Sequence, residues 1–115
     1  MFSTVAVKIG MPFHTSVASA KAAIEGFARS LAAEFAPRIR VNVIAPSLTD
    51  TPLAKDLLSS EQKRQGSADR HPLKRIGNSQ EIAQLAIHLL SDEGSWMTGQ
   101  IFRIDGGMSS IRTFK

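Results

Sequence analysis

Apolar positions along this chain change their period several times, and each change marks an element. Phe2 to Ile9 (FSTVAVKI) is dense in β-branched and apolar residues and stops at Gly10-Met11-Pro12, which predicts a strand running into a loop. A helix is predicted next, capped by Thr15 or Ser16 and running to about Phe35 before Pro37 stops it. On it Ile24, Phe27, Leu31 and Phe35 recur at steps of three and four and form the large apolar stripe. A second face carries Ala22, Gly26, Ser30 and Ala33, small enough to let another helix approach closely. Glycine in a helix interior is about 1 kcal/mol worse than alanine, and close packing at Gly26 would offset that.

Arg40 to Ala45 is a short, nearly continuous apolar run closed by Pro46, the pattern of a strand buried on both faces of a parallel sheet. Thr49-Asp50-Thr51-Pro52 offers a cap followed by proline at the first helical position, leading into Leu53 to Leu58. Ser59-Ser60-Glu61-Gln62 is a second helix start of capping-box type, and Arg70 to Gly77 (RHPLKRIG) reads as loop. Asn78-Ser79-Gln80-Glu81 is a further capping box, followed by an amphipathic stripe of Ile82, Leu85, Ala86, Leu89 and Leu90. Ile101 to Asp105 is a last strand, ending at Gly106-Gly107. Strands alternating with helices imply βαβ units and a parallel sheet covered by helices. Three strands make a thin sheet, and the first begins at residue 2, so the pattern reads as half of a fold.

Composition narrows the classes. The 115 residues fit one domain, and the apolar content of 43% is ordinary for a globular protein. No apolar run approaches the ~20 residues of a membrane span, and Met1-Phe2-Ser3-Thr4 lacks the basic leader of a signal peptide. The absence of cysteine excludes disulfides and thiolate chemistry and suits a cytoplasmic protein. A net charge of +4 invites a nucleic-acid reading, but the basic residues are spread from Lys8 to Lys115 without interleaved aromatics. Nucleic acid and membrane are therefore not expected partners. A basic cleft for an anionic ligand is the better use of the charge.

Three stretches then match one family. Lys21 in the alanine-rich helix, "IRVNVIAPSLTDTPL", and "HPLKRIGNSQEIAQLAIHLLSDEGSWMTGQIFRIDGG" resemble the C-terminal half of the short-chain dehydrogenase/reductase family. The resemblance runs from Phe2 to Met108. It implies an α/β fold, a partial Rossmann-like doubly wound parallel sheet in which residues 1–115 supply the nicotinamide and substrate side. It also implies NAD or NADP as cofactor of the parent, a small-molecule carbonyl or alcohol as substrate, and a homo-oligomer. Neither G-x-x-x-G-x-G nor G-x-G-x-x-G occurs, so the turn that holds the pyrophosphate at a helix N-terminus is absent. This chain alone is expected to bind no dinucleotide and to be inactive.

In the family a serine precedes a tyrosine by thirteen residues, and a lysine follows the tyrosine by four. The phenol exchanges a proton with the substrate, the lysine's charge lowers the phenol pKa from about 10, and the serine orients the carbonyl. Lys21 matches the lysine, and Thr4 falls at the serine position with a hydroxyl that can serve. Ser3 is one residue off and points to the other face. Val17 stands at the tyrosine position, in a chain without any tyrosine. His14, three residues earlier, is the candidate substitute acid/base, since an imidazole exchanges protons near neutral pH; Ser16 is better read as a helix cap.

The resemblance places Pro46, Ser47, Thr49 and Thr51 along the nicotinamide carboxamide, at the C-terminal end of a strand, where open α/β sheets bind ligands. Ser47 stands where the family usually has glycine, and Thr51 can also cap a helix. Asn42 is expected to satisfy backbone groups, Leu53 to Asp69 to form the variable substrate lid, and Asp105-Gly106-Gly107 to make a tight turn near a subunit contact. No metal site is expected. Three readings follow: a short-chain oxidoreductase with a variant site, a catalytically silent dinucleotide-binding or scaffold relative, and a truncated, self-associating fragment.

Overall fold

The computed structural model describes residues 1–114. Its centre is a strip of three parallel segments. Strand β1 (Val43–Pro46) pairs in parallel with the last strand, Val43 opposite Ile101 and Pro46 opposite Ile104. On its other side Phe2 makes a single parallel bridge to Ile44. Three hydrogen bonds hold that side: Ile44 N–H donates to the Met1 carbonyl, Ser3 N–H to Ile44, and Val5 N–H to Pro46. Val43, Ile44 and Ala45 are buried, as a strand covered on both faces requires.

The first predicted strand is shorter than its composition suggested. Extended pairing ends at Val5, and Ala6–Ile9 closes into one helical turn, α1. The Thr4 hydroxyl accepts the Ala6 N–H at 3.3 Å, a local side-chain bond that competes with sheet pairing. Helix α2 spans Thr15–Phe35, with the predicted end. Neither Thr15 nor Ser16 caps it: His14 occupies the cap position and makes no side-chain capping bond. The stripe is also rotated from the expected one. Phe27 is 58% exposed, whereas Glu25, Ala28 and Ala32 are buried. The helix packs by its short side chains; Ala32 lies against Gly99, which leads into the last strand, where a Cβ would stand 3.7 Å from the alanine methyl. Ala22, Gly26, Ser30 and Ala33 are exposed in this chain.

After β1 come the two-residue strand β2 (Thr49–Asp50) and a 3-10 helix, Pro52–Leu58, with Thr51 at its cap position and Pro52 following as predicted. Ser60 caps α3 (Glu61–Asp69) by accepting the Lys63 N–H, so the cap forms one residue later than a Ser59–Gln62 box would place it. Strand β3 (Gly77–Asn78) pairs in parallel with β2. The predicted capping box at Asn78 and Glu81 is complete, each side chain accepting the other's backbone N–H, and opens α4 (Ser79–Leu90). Leu89 is buried and Ile82, Leu85 and Ala86 are half-buried, while Leu90, placed on the stripe by sequence, is exposed. Strand β4 (Ile101–Ile104) ends the sheet, and Gly106 and Gly107 both take positive φ in the turn after it.

Candidate active site

Two hydrogen-bonded seams flank β1, and most of the predicted residues lie along them. In the first, Thr4 sits between Ser3 and Val5, whose N–H groups bond β1. Alternation along an extended segment turns its side chain away from theirs. Thr4 is half-buried, and its oxygen takes the Ala6 N–H, which leaves the hydroxyl proton for another acceptor. Lys21, on the second turn of α2, donates from Nζ to the Phe2 carbonyl at 3.1 Å. That bond carries the ammonium across to the segment that holds Thr4. Val17 lies one turn earlier on the same face and is 49% exposed.

The seam has a buried pin that sequence reading missed. Ser3 Oγ donates to Glu25 Oε1 at 2.6 Å, with the Lys21 carbonyl at 3.5 Å. Glu25 is only 5% exposed, and its nearest cation, Arg29, stands 4.0 Å away. A glutamate in a helix normally points to water, so position 25 carried no warning. The available signal was its spacing, one turn after Lys21 and opposite a serine. Ser3 does point to the other face, as expected.

His14 is half-buried at the head of α2, and its Nδ1 stands 2.7 Å from the Pro12 carbonyl. A carbonyl only accepts, so Nδ1 carries the proton and Nε2 is left as the basic nitrogen. Phe13, before it, has φ of 63° and is fully exposed. His14, Val17 and Lys21 thus follow one another at steps of three and four along the start of α2.

The second seam gathers the loop after β1. Pro46 accepts the Val5 N–H, which ties this loop to the Thr4 segment. Thr49 Oγ1 donates to the Ser47 carbonyl at 3.0 Å. Thr51 makes no side-chain capping bond, so its cap position does not consume its hydroxyl. Ser47 turns toward β4: its N–H bonds the Ile104 carbonyl, and its Oγ lies 2.8 Å from His71 Nε2. His71 is 3% exposed, and its Nδ1 donates to the Ser67 carbonyl at 2.8 Å. That contact fixes the proton on Nδ1, so Ser47 is the donor to Nε2. His71 lies in the stretch RHPLKRIG, whose composition predicts a loop. Nothing in RHPLKR signals burial, because the partners that bury it come from α3, β1 and the end of β4.

Asp105 completes this seam. Burial pushes its carboxyl up, but hydrogen bonds from Ser109 and Gly107 outweigh burial and hold it below the usual aspartate range. The tight turn predicted at Asp105-Gly106-Gly107 is built on that carboxylate. Asn42 also behaves as expected, donating to the Met97 carbonyl and accepting the Gln100 N–H. The predicted lid exposes Leu53 and Leu57.

These residues fit one end of a dinucleotide. The Pro46–Thr51 loop, the Thr4 hydroxyl and the Lys21 ammonium are the polar groups that the family pattern aligns with the nicotinamide side. A pyrophosphate needs a glycine turn opening a helix, and among the described residues Gly106 and Gly107 instead follow the last strand. Among the described residues, no group of three His, Asp or Glu side chains could hold a metal ion, and no helix is long and apolar enough to cross a membrane.

A parallel α/β strip with polar groups at the C-terminal ends of its strands is the architecture of an open α/β fold that binds ligands there. Residues 1–109 match the family profile described as enoyl-(acyl carrier protein) reductase. The chain belongs to the short-chain dehydrogenase/reductase family. It is 42% identical over 100 residues to the 3-oxoacyl-[acyl-carrier-protein] reductase FabG of Thermotoga maritima, covering 86% of this chain and 40% of that protein. Two proteins of Xanthobacter autotrophicus are each 36% identical over 115 residues, covering 96% of this chain: 2-(S)-hydroxypropyl-CoM dehydrogenase 3 and the inactive 2-(S)-hydroxypropyl-CoM dehydrogenase 2. The solved structure of 4-hydroxyisoleucine dehydrogenase complexed with NADH superposes with a TM-score of 0.89 at 28% identity, over 96% of this chain and 46% of that one. The chain spans 40% to 50% of the length of these curated relatives.

Proposed function

We propose that this chain is the nicotinamide and substrate side of an NAD(P)-dependent oxidoreductase for a small carbonyl or alcohol, with its proton-transfer position altered. The observation that carries the reading is the Lys21 Nζ bond to the Phe2 carbonyl, which ties the lysine to the segment that also carries Thr4. When bound, the nicotinamide gives or takes the hydride. Thr4 donates its hydroxyl proton in a hydrogen bond to the carbonyl oxygen. Lys21 supplies positive charge beside position 17 and a donor to the cofactor's ribose, and the Pro46–Thr51 loop frames the carboxamide. Val17 has no proton to exchange, so the step that neutralises the substrate oxygen lacks its carrier. General acid–base help of this kind contributes about 10²–10⁴ in rate.

The test is Val17→Tyr in a protein that carries the glycine-rich half. Hydride transfer to a carbonyl panel should rise at least about tenfold, followed as cofactor oxidation. Lys21→Ala in that background should remove the gain, because the phenol loses the cation that lowers its pKa. A native protein that is already fast would assign the proton to another group, His14 first. No gain from the tyrosine would favour the silent-relative reading, which Val17 itself and the inactive relative support.

Self-association belongs to the same proposal. Phe2 is 51% exposed at the open side of the sheet strip, and the small-residue face of α2 is bare. A second copy would cover both. Light scattering at tens of micromolar should report a dimer or larger; a monodisperse monomer with a cooperative melt would refute it.

A further inference from the structure

A cavity of about 250 Å³ opens where the loop after α3 meets the segment after β4. Arg70, Lys74 and Arg112 line it, against one carboxylate, Asp69. Two arginines close in sequence are matched: Arg64 pairs with Asp50, and Arg75 with Glu81. The three cavity cations differ. Lys74 Nζ donates to the Asp69 backbone carbonyl at 2.8 Å and Arg70 to the Ser67 hydroxyl at 3.1 Å, both neutral acceptors. Among the described residues none of the three is in an ion pair. Their charge on one concave surface exceeds that of the single carboxylate beside them, which raises the local concentration of anions.

Two further observations bear on what the cavity takes. Lys74 has φ of 56°, in the left-handed region that a lysine seldom adopts, and its N–H closes a turn onto the His71 carbonyl. Strain of that kind persists where the surroundings hold a residue in place, and it is concentrated at ligand sites. The rest of the wall includes Pro72, Met108 and Ile111, an apolar surface beside the cations. His71 forms part of the same wall and bonds Ser47, and Ser47 Oγ also lies 3.4 Å from Met108 Sδ. The cavity thus backs directly onto the loop assigned above to the nicotinamide.

We infer that this cavity binds a phosphate carried on a short apolar stem. Three cations suit a dianion, and the apolar wall suits the stem. Its identification as the tail of the substrate rests on the oxidoreductase reading; the binding itself does not.

The test titrates butyl phosphate, inorganic phosphate and butanol into the 115-residue chain, following backbone amides by NMR. Butyl phosphate should shift the Lys74 and Ile111 amides saturably and bind at least about threefold more tightly than inorganic phosphate, since each buried methylene adds to affinity. Butanol should leave them unmoved. Lys74→Gln and Arg112→Gln, at exposed side chains, should each weaken butyl phosphate binding at least about threefold, and added salt should weaken it for the native chain. Saturable shifts without the preference over inorganic phosphate would overturn the stem, and no saturable shift would overturn the site. Should either variant fail to fold, the salt series and the three probes on the native chain decide alone. No hydride transfer enters this readout, so its failure leaves the Val17→Tyr result standing, and the converse also holds.

Discussion

The two seams of the site are built differently. On the Lys21 side one buried pin, Ser3 to Glu25, holds a surface that is otherwise open: Lys21 reaches a backbone carbonyl at an exposed position, and Val17 and Phe13 face outward. On the His71 side buried polar groups satisfy one another through a chain running from Ser67 to His71 to Ser47, with Asp105 alongside. The first side is left exposed in this chain. The second is closed on itself and serves as scaffold for the loop above it. Family resemblance marked residues on both sides, and packing alone revealed Glu25 and His71.

Substitutions can break that contrast. His71→Ala should destabilise most, by roughly 2–3 kcal/mol, because it removes a buried ring and leaves the Ser47 hydroxyl and Ser67 carbonyl without their partner. Urea unfolding measures it, and a loss below about 1 kcal/mol would mean that water replaces the ring at little cost. Glu25→Ala should follow at about 1–2 kcal/mol, since it orphans the Ser3 hydroxyl. Lys21→Met, at an exposed hydrogen bond, should stay within about 0.5 kcal/mol. Equal effects at positions 21 and 25 would erase the distinction between an open surface and its pin.

The smallest expected effect lies outside both seams. Hydrogen bonding from Arg75, then from the Asn78 N–H, lowers the Glu81 pKa from 4.5 to about 2. A carboxylate with a depressed folded pKa stabilises the fold above its unfolded value. That contribution is lost as pH falls from 4.5 toward about 2. The stability gap between the native chain and Glu81→Gln should therefore be full at neutral pH and shrink through that window. A gap independent of pH would show that the capping geometry, and not the charge, is what α4 uses.

The order of elements, both ends of α2 to within a residue or two, the Asn78 cap and the parallel sheet were legible in the sequence, because each rests on local chemistry: a proline stop, a capping box, an apolar run. Resemblance to a family pattern, through its spacing, nominated Thr4, Val17 and Lys21 as site positions. The face that α2 buries was not legible. Large apolar side chains at helical spacing pointed to Phe27, yet the neighbouring strip accepts only Ala28 and Ala32 and draws Glu25 inward to Ser3. Nor was the end of the first strand, where a threonine hydroxyl turned the chain before its β-branched residues could pair. His71 needed three distant segments to bury it and to set its tautomer. Local spacing thus determined the order of elements, and resemblance to a family pattern supplied the family and the roster of candidate residues. Tertiary structure decided which of them are closed off and which are left to act, because burial and hydrogen-bond saturation are properties of segments brought together from far apart in the chain.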